Sequence, residues 1–353
     1  MRALLVLPLG LVLAVPVAAH QQRPIKLNVH AGKVKKGTEK QTCFPIRFPR
    51  NVATDVDQVQ IVVQGGSHHV HLYRPVSGMP VMYPNPDKSY DPAGPHNRKP
   101  RECAFAIDFT HWELVAASQT ESLNWPLHPG VGIHFEPHQP LMIQTHFVNT
   151  GFGNAGLEVK GKARAKMLLY PMEASSVRAY GGALFGQDRT VDVPPGPLCT
   201  TSADCGAEQT CSTAGHCTQS ASSVCHMTGN TSDHEVKNIM ALTGHYHFRG
   251  IRYRIWRTLV DGTRGELVYE QDGYADPKFE QYAPGELVLQ PGEGLEWECT
   301  WQNDSDQTFL FGPNTEMNEH CNLFGFYYPT DTPLESMDCV HNTDGSEVRT
   351  VRQ

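Results

Sequence analysis

Along most of the chain, apolar and polar residues alternate in short runs that end at Gly, Pro or Asn, the period-two pattern of half-buried strands. Val59-Gln60-Ile61-Val62-Val63 ends at Gly65-Gly66, a β-rich run follows from His69 to Tyr73, and another from Leu141 to Asn149 stops before Gly151. The pattern resumes after Cys225 at Gly250 to Leu259, Gly265 to Glu270, Glu286 to Gln290, Gly294 to Trp301 behind the Pro291-Gly292 turn, and Cys321 to Tyr328. The 31 Gly and 26 Pro are scattered over the whole length, where they would interrupt long helices and leave short strands intact. The predicted fold is therefore all-β, with two sandwich-like units at 24–188 and 225–353.

Between these units the composition changes. Residues 193–224 carry Pro194, Pro195 and Pro197, then Cys199, Cys205, Cys211 and Cys217 at six-residue intervals amid Ser, Thr, Ala and Gly. A segment so poor in core material is ordered by crosslinks, so it is predicted to be an insert stapled by two internal disulfides. A zinc knuckle usually brings its cysteines closer together in sequence.

The N-terminus sets the compartment. Met1 to Ala19 has Arg2, an apolar stretch from Ala3 to Val17 broken by Pro8, Gly10 and Pro16, and small residues Ala18 and Ala19. This reads as a secretory leader over 1–19, placing the mature protein outside the cytosol, extracellular or periplasmic, with no membrane association after its removal. The ten cysteines, an even number, are then expected in disulfides. With 37 acidic against 29 basic side chains the net charge is −8 and no dense basic run occurs, which excludes a phosphate-tracking nucleic-acid binder.

The 18 histidines carry the chemistry. In Gly65-Gly66-Ser67-His68-His69-Val70-His71, three imidazoles crowd at the start of a strand; His69 and His71 share a face, and a bulge would bring His68 and His69 to one ion. In Gly244-His245-Tyr246-His247, two imidazoles two residues apart lie on one strand face, within reach of a single metal. His146 sits among apolar and β-branched neighbours, where an unpaired imidazole is costly to bury. It is read as a ligand in the company of the other clusters, and alone as a hydrogen-bonded core residue.

Four segments, His68-His69-Val70, Gln144-Thr145-His146-Phe147, His245-Tyr246-His247 and Asn318-Glu319-His320-Cys321-Asn322, resemble in their order the copper type II, ascorbate-dependent monooxygenases. The resemblance covers about Ile25 to Cys339, apart from the cysteine insert. It implies two antiparallel, jelly-roll-like β-sandwiches facing a cleft, with two copper ions per chain. It also implies ascorbate or another one-electron reductant, and O2. By position it assigns His68, His69 and His146 to an electron-transfer copper, and His245 and His247 to the copper that meets oxygen and substrate. His320 stands where the family has methionine as the third ligand of that second ion, with Met317 as the alternative. A third imidazole is a harder ligand than a thioether and favours Cu(II). The resemblance also pairs Cys43 with Cys103, Cys225 with Cys339 and Cys299 with Cys321.

The substrate, a small molecule or a peptide, is left open. Peptidylglycine-hydroxylating members hold a peptide carboxylate with Arg and Tyr at positions that are Thr243 and Phe324 here, and only Asn322 of that clamp is present. Tyr246, Phe248, Trp256, Phe324 and Phe326 are candidates for a pocket wall. The leading function is hydroxylation of a C–H bond, with His245, His247 and His320 as the catalytic set. Set against it are a non-catalytic copper-binding protein on the same fold and a zinc hydrolase. A histidine brace at His20, exposed by leader removal, is a further candidate.

Overall fold

Strand Ile25–Lys33 shows how the local pattern becomes structure: Ile25, Leu27, Val29 and Ala31 point into the core while Lys26, Asn28 and His30 face solvent. The computed structural model describes residues 22–64, 66–84, 90–92, 99–103, 111–149, 162–227, 236–274 and 276–352. The segment 1–19, predicted to be a leader, and His20 lie outside the described residues.

The N-terminal half is a sandwich of two sheets. One runs in the order Ile25–Lys33, Lys162–Pro171, Thr54–Val63, Val131–Phe135, Ala179–Tyr180, with Ser122–Pro126 also on Thr54–Val63. The other runs Arg101–Glu102, Glu39–Arg47, Pro140–Val148, Ser67–Pro75, Trp112–Ser118. Between them lie Phe48 and Phe135, stacked with ring centroids 4.8 Å apart, and the buried Trp112 and Trp125.

The C-terminal half repeats the plan. A sheet built on Lys237–Tyr246, Cys321–Tyr328, Gly182–Asp188, Ser336–His341 and Glu347–Arg352 packs against a four-stranded sheet of Gln219–Cys225, Gly294–Trp301, Gly250–Thr258 and Arg264–Asp272. Two of these strands fall beside the sequence-based boundaries. Gly182–Asp188, at the end of 24–188, belongs to the C-terminal sheet, and Gln219–Cys225 takes the end of 193–224 into strand pairing. Strand character is nearly complete: among the described residues the helical pieces are the single turns Ala174–Ser176 and Ser202–Asp204.

Disulfides clamp this frame. Cys43–Cys103 secures the edge of the five-stranded sheet, Cys225–Cys339 and Cys299–Cys321 each tie the two C-terminal sheets together, and Cys199–Cys211 and Cys205–Cys217 close the insert. Crosslinking residues 114 apart, as Cys225–Cys339 does, constrains the unfolded chain by roughly 4–5 kcal/mol.

The halves meet directly. Phe185, Phe324, Phe326 and Met240 of the C-terminal half join the apolar cluster of the N-terminal half, with Phe326 4.4 Å from the Trp125 ring. Within the C-terminal half Gly250 lets the chain turn against Tyr246: a Cβ there would lie 1.6 Å from the Tyr246 ring. Tyr246 sits between His245 and His247 and donates its hydroxyl to the Gly273 carbonyl at 2.5 Å, so it has little freedom to yield. Gly250→Ala is expected to lower unfolding stability by about 1–3 kcal/mol, read as a shifted urea midpoint at unchanged slope.

Candidate metal centre

Strand register brings the histidines together. In the five-stranded sheet Gln41, His146 and His69 lie opposite one another across three strands, and Cys43, Gln144 and His71 form the next such row. His146 pairs with His69 but Phe147 pairs with Ser67, so His68 is the extra residue of a β-bulge. A bulge turns the strand locally and re-aims its side chain. Across the interface the C-terminal sheet presents His245, Asn322 and Gln187 in one row and Thr243, Phe324 and Phe185 in the next.

The C-terminal histidines sit at a strand end and do not both lie on one strand face, where the sequence pattern placed them. His245 is the penultimate residue of Lys237–Tyr246, and His247 lies in the turn before Gly250–Thr258, because the buried run that carries them begins upstream at Lys237. His320 immediately precedes Cys321–Tyr328, whose first residue is anchored to Cys299.

The result is one cluster that spans both halves. The His68 ring lies 5.2 Å from His69, 5.1 Å from His146 and 4.6 Å from His245. His320 is 4.6 Å from His245 and 3.8 Å from His247, while His69 lies 5.2 Å from His245 and 4.2 Å from His71. One nitrogen each from His68, His245, His247 and His320 falls within 4.8 Å of the other three. The gap between the N- and C-terminal histidine sets is thus no wider than the gaps within each set.

The nitrogens are set up to ligate. Nε2 of His68, His71, His247 and His320, and Nδ1 of His69, are buried without a hydrogen-bond partner. An imidazole left so is costly unless something binds it. Burial, reinforced by the neighbouring imidazoles, pushes His68, His69, His245 and His320 well below the usual histidine range, and burial brings His71 and His247 down to about 3. These rings are therefore neutral, with lone pairs available at physiological pH. Neutral imidazole is a good donor for copper and zinc.

Surrounding residues fix how each ring points. His247 Nδ1 donates to the Asn318 carbonyl at 2.9 Å, which leaves Nε2 for an ion. His245 Nδ1 donates to Oε1 of Gln119, a residue of the opposite half. The Gln119 amide nitrogen in turn donates to Thr243 Oγ1 at 3.1 Å and to the Gly244 carbonyl at 2.7 Å. Gln119→Ala, which frees the His245 ring to rotate, is expected to weaken copper binding by about 10–100-fold in chelator competition. Fully buried Glu319 accepts from the His247 amide at 3.0 Å and from Trp301 Nε1 at 3.2 Å, bracing the turn; burial pushes its carboxyl up to about 8 against the pull of Arg249.

His146 is held differently. Its Nε2 donates to Glu39 Oε2 at 3.0 Å and its Nδ1 accepts from Gln41 Nε2 at 3.2 Å, so both ring nitrogens are engaged. Burial opposes ionisation of Glu39, but hydrogen bonds from His146 and Thr315 outweigh it and hold the carboxyl down at about 2. Met317 stands apart, 62% exposed, with its amide bound to Asn314 Oδ1, so His320 rather than Met317 reaches the cluster. Cys199, Cys205 and Cys217 also lie close together, but each is in a disulfide.

Against the histidines lies a cavity of about 130 Å³. Phe185, Phe311, Phe324 and Pro313 form its apolar wall; Gln144, Gln187 and Asn322 supply amides, and Asn322 Oδ1 is buried without a partner. No Asp, Glu, Lys or Arg is among the described residues that line it. Arg249 is turned to Glu319 and the Glu316 carbonyl, and Arg254 to Glu208 and Glu298, so neither offers a carboxylate anchor. Of the aromatics considered from the sequence, Phe324 lines the cavity, whereas Tyr246 and Trp256 pack elsewhere in the C-terminal half. Gln119, Glu39, Gln41 and Phe185 carry no local sequence signal; register and interface packing alone give them their roles.

No curated protein matches the chain. Among solved structures it is similar to PNGase F, a glycosylasparaginase from Flavobacterium meningosepticum, at 10% identity and a TM-score of 0.30, covering 92% of this chain and 99% of that one. It is also similar to PBCV-1 VP54 fitted into a reconstruction of the virophage Sputnik, at 9% identity and a TM-score of 0.25, covering 89% and 95%. Both likenesses are too slight to carry a fold or a function. Residues 206–351 match the family described as copper type II ascorbate-dependent monooxygenase, C-terminal domain. They include His245, His247 and His320, so it is this C-terminal part of the chain that is similar to the copper type II ascorbate-dependent monooxygenases.

Proposed function

We propose that the protein is an extracytoplasmic copper monooxygenase that inserts one atom of O2 into a substrate C–H bond, with two electrons from a reductant such as ascorbate and release of the second atom as water. The observation that carries this reading is the convergence of buried, unpartnered imidazole nitrogens in a chain half that matches the family. Copper held there supplies one-electron redox chemistry and activation of O2, which protein side chains lack.

The residues divide the remaining work. His245, His247 and His320 hold the ion beside the cavity, and the histidines of Ser67–Pro75 serve an electron-storing ion on the opposite face. Rings of the two sets approach to 5.2 Å between His69 and His245, so an electron has a short path between halves. Phe185 and Phe324 hold the substrate's apolar part against His245, while Asn322 and Gln187 orient a neutral polar group. Disulfide Cys299–Cys321 and Glu319 keep the ligand-bearing turns in place.

His320 supports a second reading, because a third imidazole favours Cu(II) over the Cu(I) that meets O2: the chain then binds copper without turnover. One experiment separates the two. Two copper ions per chain with ascorbate-dependent oxygen uptake is the expected result; copper without uptake across neutral aromatic, amine and peptide substrates favours the binding protein. Zinc retained against excess copper would mark a hydrolase and end the oxygenase reading.

A further inference from the structure

We infer that His68 is the fourth ligand of the ion held by His245, His247 and His320, so that this ion bridges the two halves of the chain. The inference rests on the copper reading and moves His68 from the electron-storing set of Ser67–Pro75, where His69 and His71 remain, to the ion beside the cavity. One nitrogen from each of the four rings already lies within 4.8 Å of the others. Tetrahedral donors at about 2.0–2.1 Å from an ion are roughly 3.3 Å apart, so each ring needs to close by less than about 1 Å. The four rings come from two sheets, and the bulge at His68 turns its ring to within 4.6 Å of His245 and 5.6 Å of His247.

On its own side of the interface His68 finds less. His146 spends both nitrogens on Glu39 and Gln41, and the His69 ring lies against His71 at 4.2 Å. Among the described residues no three donors of the N-terminal half approach as closely as His68 does to the C-terminal three. The orphaned Nε2 of His68, His247 and His320 are what a shared ion would satisfy together.

The interface is already fixed for this exchange. Gln119 reaches Thr243, Gly244 and His245; Glu39 accepts from Thr315 Oγ1 at 2.7 Å; and Gln41 reaches the Pro313 carbonyl at 3.4 Å. A ligand from the N-terminal face is thus delivered without rearrangement of the halves. An ion bound across the interface is then bound only by the docked chain, and it stabilises docking through mass action.

The test uses the full-length chain carrying His69→Ala, His71→Ala and His146→Ala, which removes the other N-terminal histidines of the cluster, loaded with Cu(II). Pulsed electron paramagnetic resonance counts the imidazoles on the retained ion, and atomic absorption gives copper per chain. Four imidazoles are expected, falling to three when His68→Gln is added, with copper affinity lower by at least about tenfold. A count of three before and after the His68 change overturns the inference while leaving the copper reading intact. Absence of copper from the wild-type chain overturns both. In the otherwise intact chain, His68→Gln is expected to reduce the rise in melting temperature on copper addition, and an undiminished rise counts against the bridge.

Discussion

Replacing His245 by alanine is expected to remove one copper per chain and to abolish ascorbate-driven oxygen uptake. His245 is the ring around which the cluster is arranged: it lies 4.6 Å from both His68 and His320, 5.2 Å from His69 and 6.1 Å from His247. It also lines the cavity beside the histidines, so under the proposed function its loss removes a ligand where the C–H bond would be held. Loss of an outer hydrogen-bond partner alone costs about 10–100-fold in affinity. Loss of the ligand itself is expected to exceed that range, enough to leave the site empty at micromolar copper. The folded frame should survive, because the His245 side chain hydrogen-bonds to Gln119 and the surrounding strands are pinned by Cys299–Cys321. Near-wild-type circular dichroism with one copper lost and no uptake is the expected combination. A His245→Ala chain that keeps full copper and measurable turnover would show that the cluster is not the catalytic centre.

How much of this site can be read from the sequence depends on distance along the chain. Gly294–Trp301 and Cys321–Tyr328 are legible because their boundaries are local: Pro291-Gly292 makes the first turn, with Gly292 at φ 91°, and a cysteine opens the second strand. Lys237–Tyr246 is less so, since eight of its residues in an unbroken run to Tyr246 are buried and a strand covered on both faces shows no alternation. The histidines announce themselves by type and crowding. Which of them meet does not, because the bulge that aims His68 exists only once Pro140–Val148 pairs with Ser67–Pro75. Gln119 is 126 residues from His245, and Glu39 is 276 residues from Thr315. A glutamine or glutamate in an ordinary strand context carries no mark of such contacts, so the cross-interface supports become visible only in the fold.

The sharpest consequence of that geometry concerns the ligand that departs from the family. Met317→Ala is expected to leave copper content, oxygen uptake and stability unchanged, the last within about 0.5 kcal/mol, because the side chain is 62% exposed and only its backbone amide is used, bound to Asn314 Oδ1. His320→Ala is expected to remove the copper beside the cavity and all turnover, because its ring packs 3.8 Å from His247 and its Nε2 has no other partner. His320→Met separates ligand identity from ligand presence. It keeps a donor at the position next to Cys321 while exchanging a harder imidazole for a soft thioether, which stabilises Cu(I). Copper retention with a higher midpoint potential and tighter Cu(I) binding is the expected result. Oxygen uptake that rises in His320→Met would show that the native imidazole restrains O2 activation, whereas loss of copper in Met317→Ala would transfer the third-ligand role to the thioether and require the 311–319 loop to refold around it.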